Sequence, residues 1–299
     1  MSIAIYYYSC YSLVIKIFQG GKMQRQLLAL IFLCSNSLFA LEFNISPSMK
    51  YDLTKDNFYA TDPLGATAAD SEYTVKRSGT MLGLGLGVNS PVVKHNWINS
   101  AKASFAYGIF NTEINDGAGS ANESFNMSLK LWQLGLEDTV AFYAKVNSKT
   151  APYIGVGFAY EKFELADEEI YNEPASPPEL SKGHNKRLYV PVGFIVHTTD
   201  FLSFDVRYEK DLGEKYNESE AYLNPELTAA DPRKFVRGQG IAIAVNWDFA
   251  PVNNTGMTLK YQRHTANYAR SVAATADKQK YQEQVSDSVL LQFHWLGDF

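Results

Sequence analysis

Cysteine is nearly missing from this chain of 299 residues: there are two, Cys10 and Cys34, both within the first forty. Beyond that segment no thiol remains, which excludes a disulfide-stapled scaffold and a thiolate metal site there. Long hydrophobic runs are missing too. The apolar stretch in MQRQLLALIFLCSNSLFA (23–40) is too short to cross a bilayer as a helix. Positive charge is outweighed, with 27 Lys and Arg against 32 Asp and Glu, which argues against nucleic acid as a partner. None of the five histidines pairs with another at a helical or hairpin metal-binding spacing, so no metal and no cofactor is expected.

Residues 1–40 read as a leader. Arg25 supplies a positive start, Leu27 to Leu33 an apolar core, and SNS or LFA a small-residue cleavage end. Leu33 is too large for a good lipobox before Cys34. Residues 1–22 fit a signal poorly. Gly20-Gly21-Lys22 would be encoded by a purine-rich stretch resembling a ribosome-binding site, so translation is expected to begin at Met23. Removing 1–40 takes away Lys16, Lys22 and Arg25 and no acidic residue, leaving 24 basic against 32 acidic residues over 41–299.

Aromatic residues are abundant: 14% of the chain, with 19 Tyr and 18 Phe, more tyrosine than a core requires. They fall into a repeated pattern. In LEFNISPSMKYDLT (41–54), Leu41, Phe43, Ile45, Pro47, Met49, Tyr51 and Leu53 alternate with polar residues. Strict period two over that length makes a strand with one apolar and one polar face. The pattern returns at Leu82–Val88, Ala101–Ile109, Phe125–Leu131, Ile154–Tyr160, Leu188–Val196, Leu202–Tyr208, Ile241–Phe249, Met257–Tyr261 and in the closing SVLLQFHWLGDF (288–299). Ten strands are expected. Their connections alternate between long polar segments and short links such as HTTD and APVNNTG, the layout of an all-β transmembrane antiparallel up-and-down β-barrel.

The tyrosines support the same reading. Tyr51, Tyr107, Tyr160, Tyr208 and Tyr261 each stand on the apolar face of an odd-numbered strand near its long-connection end, spaced by 56, 53, 48 and 53 residues. A tyrosine ring in the acyl boundary with its hydroxyl among headgroups builds an interfacial girdle. Trp247, Phe249, Trp295 and Phe299 would supply part of the opposite girdle. Residues 124–147 fit least well, because the apolar phase shifts between Leu131 and Leu134. The expectation there is a strand over 124–136 with a bulge, then a short helical turn through TVAFYAKV capped by Asp138. An even strand number keeps both ends of the barrel on one side of the membrane.

PYIGVGFAYEKFE (152–164) and RLYVPVGFIVHTTDFLSFDVRYEKDLG (187–213) resemble small bacterial outer-membrane barrels of the outer-membrane-protein-A-like type. The terminal Phe299 is similar to the aromatic signal such barrels present to the barrel-assembly machinery. The resemblance is architectural. It implies a Gram-negative outer-membrane location, with outer-membrane lipids, lipopolysaccharide and the assembly machinery as partners, and it identifies no activity.

The polar faces then point into the lumen, where Lys50, Asp52, Lys102, Asp205, Arg207, Glu209, Lys260, Gln262 and His294 are the notable members. Ten strands lie near the size that side chains fill, so a plugged or very narrow lumen is expected despite inward Gly83, Gly85, Gly87, Gly155, Gly157 and Gly193. Two enzymatic patterns have partial counterparts. Lipid A deacylases carry His-x-Ser-Asn on a barrel strand, but here the residues are His264, Ala266 and Asn267, with no serine at its place and Thr265 on the other face. Ten-stranded surface proteases use aspartates and an Asp–His couple; Glu209, Asp211 and His264 are of the right kind, but the eighth strand separates their strands. Acidic groups at Asp167, Glu168, Glu169, Glu173 and Glu179, and at Glu214, Glu218, Glu220 and Glu226, read as solvated loop surface rather than calcium sites. No catalytic residue is assigned. The expected role is non-enzymatic, in envelope architecture, surface interaction or a narrow porin-like pore, with a rim-located hydrolase as the alternative.

Overall fold

The computed structural model describes residues 42–59, 73–92, 96–116, 125–144, 148–165, 182–218, 234–249, 255–271 and 279–298. The leader, Phe299 and the acidic segments 167–179 and 220–226 lie outside them. Ten antiparallel strands follow one another: β1 (Glu42–Tyr59), β2 (Tyr73–Val92), β3 (Trp97–Asp116), β4 (Phe125–Phe142), β5 (Thr150–Leu165), β6 (Lys182–Thr199), β7 (Leu202–Glu218), β8 (Lys234–Asp248), β9 (Thr255–Ser271) and β10 (Gln279–Asp298). Each pairs with its sequence neighbours, and β10 returns to β1 to close the barrel. The closing seam runs from Glu42↔Asp298 to Tyr59↔Tyr281, so β1 leaves no long free edge. This is the expected fold.

The period-two pattern decides which way each residue points, and the resulting barrel is apolar outside. On β1, Ile45, Met49, Tyr51 and Leu53 are exposed while Ser46 and Asp52 between them are buried. The same inversion holds on β2, where Leu82 is 68% exposed and Met81 fully buried, and on β7, where Val206 and Tyr208 are exposed and Arg207 and Glu209 buried. Water would penalise such a surface. Lipid does not, and a closed ladder satisfies every strand-edge hydrogen bond that lipid cannot.

The strands are longer than their apolar alternation indicated. They have 15 to 20 residues, whereas crossing the hydrocarbon takes about 9–11. The surplus lies at the long-connection end, where β3 continues to Asp116, β7 to Glu218 and β9 to Ser271. Segments expected as loops from 111, 213 and 265 are therefore partly strand. Past the lipid the outer face no longer needs apolar residues, so the alternation fades while the ladder continues.

The fourth strand corrects the expectation for residues 124–147. β4 pairs with β3 in unbroken register from Ile114↔Phe125 to Trp97↔Phe142, with no bulge. Asp138 lies within the strand and caps no helix, and just past its end Tyr143 donates its backbone N–H to the Asn96 carbonyl at 2.8 Å. The phase shift has another cause. Leu131 points inward with Met81, Phe110 and Phe163 in an apolar cluster, with Leu129 packed against it, while Leu134 faces out. Bulges occur instead between β6 and β7 at Leu188/Tyr189 and between β8 and β9 at Phe235/Arg237.

Candidate functional site

The lumen gathers the chain's buried charge, so the site is built from inward positions. Arg207 on β7 reaches Glu137 on β4, donating from Nη1 to Oε1 at 2.9 Å and pairing through Nη2 with Oε2. The same guanidinium lies 2.9 Å from Glu209 Oε1 through Nε. Arg187 on β6 extends the chain, 3.3 Å from both Glu209 and Asp211. Two tyrosines brace it: Tyr189 donates to Glu137 at 3.1 Å and Tyr153 to Asp205 at 2.8 Å. The rings of both occupy space left by glycine on the neighbouring strand. Gly157 is the register partner of Tyr189 and Gly193 that of Tyr153, and a Cβ at Gly193 would come within 2.6 Å of the Tyr153 ring.

A further contact crosses a strand. His264 Nε2 on β9 is 2.7 Å from Asp211 Oδ2 on β7, although β8 lies between. The inner face of β8 at this level is Gly238 and Gly240, and a Cβ on Gly238 would collide with the Asp211 carboxylate. The absence of side chains on the separating strand is what lets its two neighbours meet. Deeper toward the outer rim, the buried Tyr268 donates to Glu214 at 2.6 Å, and Asn185 donates to the same oxygen.

On the other side of the lumen, Lys50 pairs with Asp52 at 2.6 Å and reaches from β1 to Gln133 on β4 at 3.2 Å. Gln133 donates onward to Glu161 at 3.0 Å. Asp52 also accepts from Ser286 at 2.9 Å. Asp56 takes Arg77 at 2.7 Å together with Gln282 and Gln284.

Two cavities open among the described residues of the interior. An outer cavity of about 210 Å³ is lined by Lys50, Asp52, Gln133, Arg187, Gln262 and His264 among others. An inner one of about 310 Å³ is lined by Asn44, Ser46, Lys102, Asp248, Thr258 and His294 among others. They share no lining residue; Arg187 lines the outer one, and Glu137, Arg207 and Glu209 line neither.

All nine residues expected in the lumen take inward positions, but with different company. Arg207 and Glu209 belong to the Glu137 chain, Asp205 accepts from Tyr153, and Lys50 and Asp52 pair on the opposite side of the lumen. Gln262 lines the outer cavity; Lys102 lines the inner one, opposite Glu137 in register. His294 sits 3.3 Å from Asp248. Lys260 is near Arg207, Glu209, Glu137 and Asp205 with no ion pair among the described residues. On the outside, Tyr51, Tyr107, Tyr208 and Tyr261 are exposed, Tyr160 is half-exposed, and Trp295 at the other end is 63% exposed with Trp247 half-buried. Glu137, Arg187 and Tyr189 were missed as site residues. Their signal was a charge or a large ring at the inward phase of an otherwise apolar strand.

Among the described residues no group of three or more His, Cys, Asp or Glu is arranged to hold a metal ion. The serine missing from the deacylase-like pattern has a spatial counterpart: Ser286 on β10 is the register partner of His264. Its hydroxyl, however, donates to Asp52.

No protein-family profile matches the chain, and no curated protein sequence does. Solved structures do. The outer membrane protease OmpT from Escherichia coli aligns with a TM-score of 0.53 at 10% identity over 86% of this chain and 97% of that one. An outer membrane channel from Pseudomonas putida F1 gives 0.42 at 10% identity, covering 85% and 95%. The outer membrane protein OprG from Pseudomonas aeruginosa gives 0.37 at 12%, covering 87% and 97%. At such identity the likeness to the protease is one of fold: this chain is similar to bacterial outer-membrane β-barrels.

Proposed function

We propose that the protein is an integral outer-membrane barrel with a non-enzymatic envelope role, whose lumen is closed by its own side chains. One observation carries this reading. The Glu137–Arg207–Glu209–Arg187–Asp211–His264 chain crosses the lumen from β4 to β9, with Arg187 and His264 at the floor of the outer cavity. An inserted chain of this kind contacts outer-membrane lipids and lipopolysaccharide through the apolar band. It presents its last strand, β10, to the assembly machinery as it closes on β1. With the bore filled, the working surface is the outer rim with its long connections.

Planar-bilayer recording of the refolded protein tests this. The expected trace is silent. Stable single-channel steps would replace the closed barrel with a narrow pore.

A second reading, a hydrolase, is favoured by the His264–Asp211 couple beside Ser286, and the fold is shared with a protease. Against it, Asp211 is already tied to Arg187 and Ser286 to Asp52, which leaves no free nucleophile on the imidazole. Hydrolysis of an ester, amide or peptide by the refolded protein that disappears in His264→Ala would restore the enzyme.

A further inference from the structure

The outward face of β6 and β7 carries a pair of like charges that no described residue neutralises. Lys186 and Lys215 are direct register partners, side by side on the outside of the barrel. Like charges opposite one another in a sheet destabilise it. Among the described residues neither has an ion-pair partner. Lys186 lies over the Tyr160 ring, 5.9 Å from its centre, and Lys215 is exposed. The acidic residues of the same stretch of β7 cannot serve, because Glu209, Asp211 and Glu214 all point inward and are engaged there. Lys162, one residue pair further along β5, is tied to Glu164 at 2.6 Å.

The surroundings specify what could neutralise the pair. Toward the membrane centre the outward residues of β6 are apolar, Leu188 and then Val190, while on β7 Lys210 stands opposite Val190 and Tyr208 follows below it. The bulge between β6 and β7 adds Leu212, which is passed over in the register and stands 59% exposed between Lys210 and Lys215. Tyr160, the register partner of Lys186, stands beside the pair at the expected headgroup level, while Tyr208 lies nearer the membrane centre, opposite Val192. Two cations therefore sit at the top of a greasy wall, with long stems able to lie on it. A ligand that fits has anionic phosphate directly above acyl chains.

We infer that Lys186 and Lys215 form a binding site on the outer wall of the barrel for the phosphate of a phosphorylated lipid headgroup. The inference rests on the membrane orientation proposed above. It assigns to the lipid a fixed place on the β6–β7 face, where its phosphate stands in for the carboxylate that no described residue brings to the lysine pair.

The test uses the full barrel refolded into phosphatidylcholine vesicles containing a minor fraction of bisphosphorylated lipid A, or the same lipid with its phosphates removed. The readout is lipid retained by the barrel after extraction into mild detergent, measured by native mass spectrometry. The wild type should retain the phosphorylated lipid, and Lys186→Gln/Lys215→Gln should retain it about thirtyfold less, equivalent to about 1 kcal/mol per lysine near a charged membrane surface. The dephosphorylated lipid should be held weakly and equally by both. Lys130→Gln/Arg263→Gln, which removes two outward charges elsewhere that face no other cation in register, should behave as wild type. Equal loss in that control would overturn the site in favour of diffuse charge. So would competition by millimolar inorganic phosphate that displaces the lipid completely, since the lysines would then bind the free anion. A barrel that inserts normally and retains no phosphorylated lipid overturns the inference alone, whereas failure to insert into any vesicle overturns the membrane orientation with it.

Discussion

His264 and Asp211 lie 2.7 Å apart although a whole strand separates the strands that carry them. The contact depends on two inward glycines of β8, and they are not equivalent. At Gly238 a Cβ would overlap the Asp211 carboxylate, whereas at Gly240 it would sit in ordinary contact, 3.4 Å from the His264 ring and 3.5 Å from Glu209. Gly238→Ala should therefore destabilise the refolded barrel by about 1–3 kcal/mol, the usual penalty for forcing an extra group into a packed interior. Gly240→Ala should change it far less. Urea unfolding in vesicles compares them, and equal effects would mean that Asp211 swings aside freely.

The buried pair at the centre has a sharper asymmetry. Arg207→Ala leaves Glu137 and Glu209 facing each other without their shared cation, and loss of one partner of a buried pair costs about 3–5 kcal/mol. Replacing Arg207 by Met together with Glu137→Gln removes charge from both sides and should cost clearly less. The unfolding free energies of the single and double variants decide this. A double variant as unstable as Arg207→Ala would mean that the loss comes from packing rather than from unpaired charge.

Tyr153 combines a packing role with a polar one. Its ring covers Gly193 and its hydroxyl donates to Asp205 at 2.8 Å. Tyr153→Phe keeps the ring and should cost about 1.5–3 kcal/mol, the worth of a hydrogen bond to a charged group. Tyr153→Ala removes both and should cost more. If Phe is neutral in the same unfolding assay, water replaces the hydroxyl and the lumen is wetter than the network implies.

Much of this architecture was legible in the chain because a barrel in lipid has a simple rule for each residue. Phe43, Ile45, Met49 and Tyr51 had to be apolar to face lipid, and the residues between them did not, so period two survives in the sequence. The rule fails where the interior is also apolar. Leu129 and Leu131 satisfy the inner cluster with Met81, Phe110 and Phe163, and their phase looks like a bulge when the strand is straight. It fails again where contacts skip a strand. Gly238 and Gly240 are visible in the sequence, but that Asp211 and His264 lean over them depends on barrel curvature, which no local pattern encodes. Strand ends beyond the lipid were hidden for the opposite reason: there the outer face is free to be polar.

The outward face gives the most direct test of the membrane orientation. Leu291 on β10 is flanked in register by Met49 and Leu259, both exposed apolar residues on the outer wall. It lies between Tyr51 and Tyr261 toward one rim and Trp295 toward the other, near the middle of the band. Arginine there has to be solvated in hydrocarbon, at a cost of about 2–4 kcal/mol, falling to about 0–1 near an interface. Leu291→Arg should therefore destabilise the inserted barrel by at least about 1 kcal/mol more than Trp295→Arg, although tryptophan is the larger side chain to lose. Unfolding in phospholipid vesicles measures both. In detergent micelles the difference should shrink, because a micelle deforms to hydrate a charge more easily than a bilayer does. Equal costs in vesicles would place Leu291 outside the hydrocarbon and shift the whole barrel along its axis.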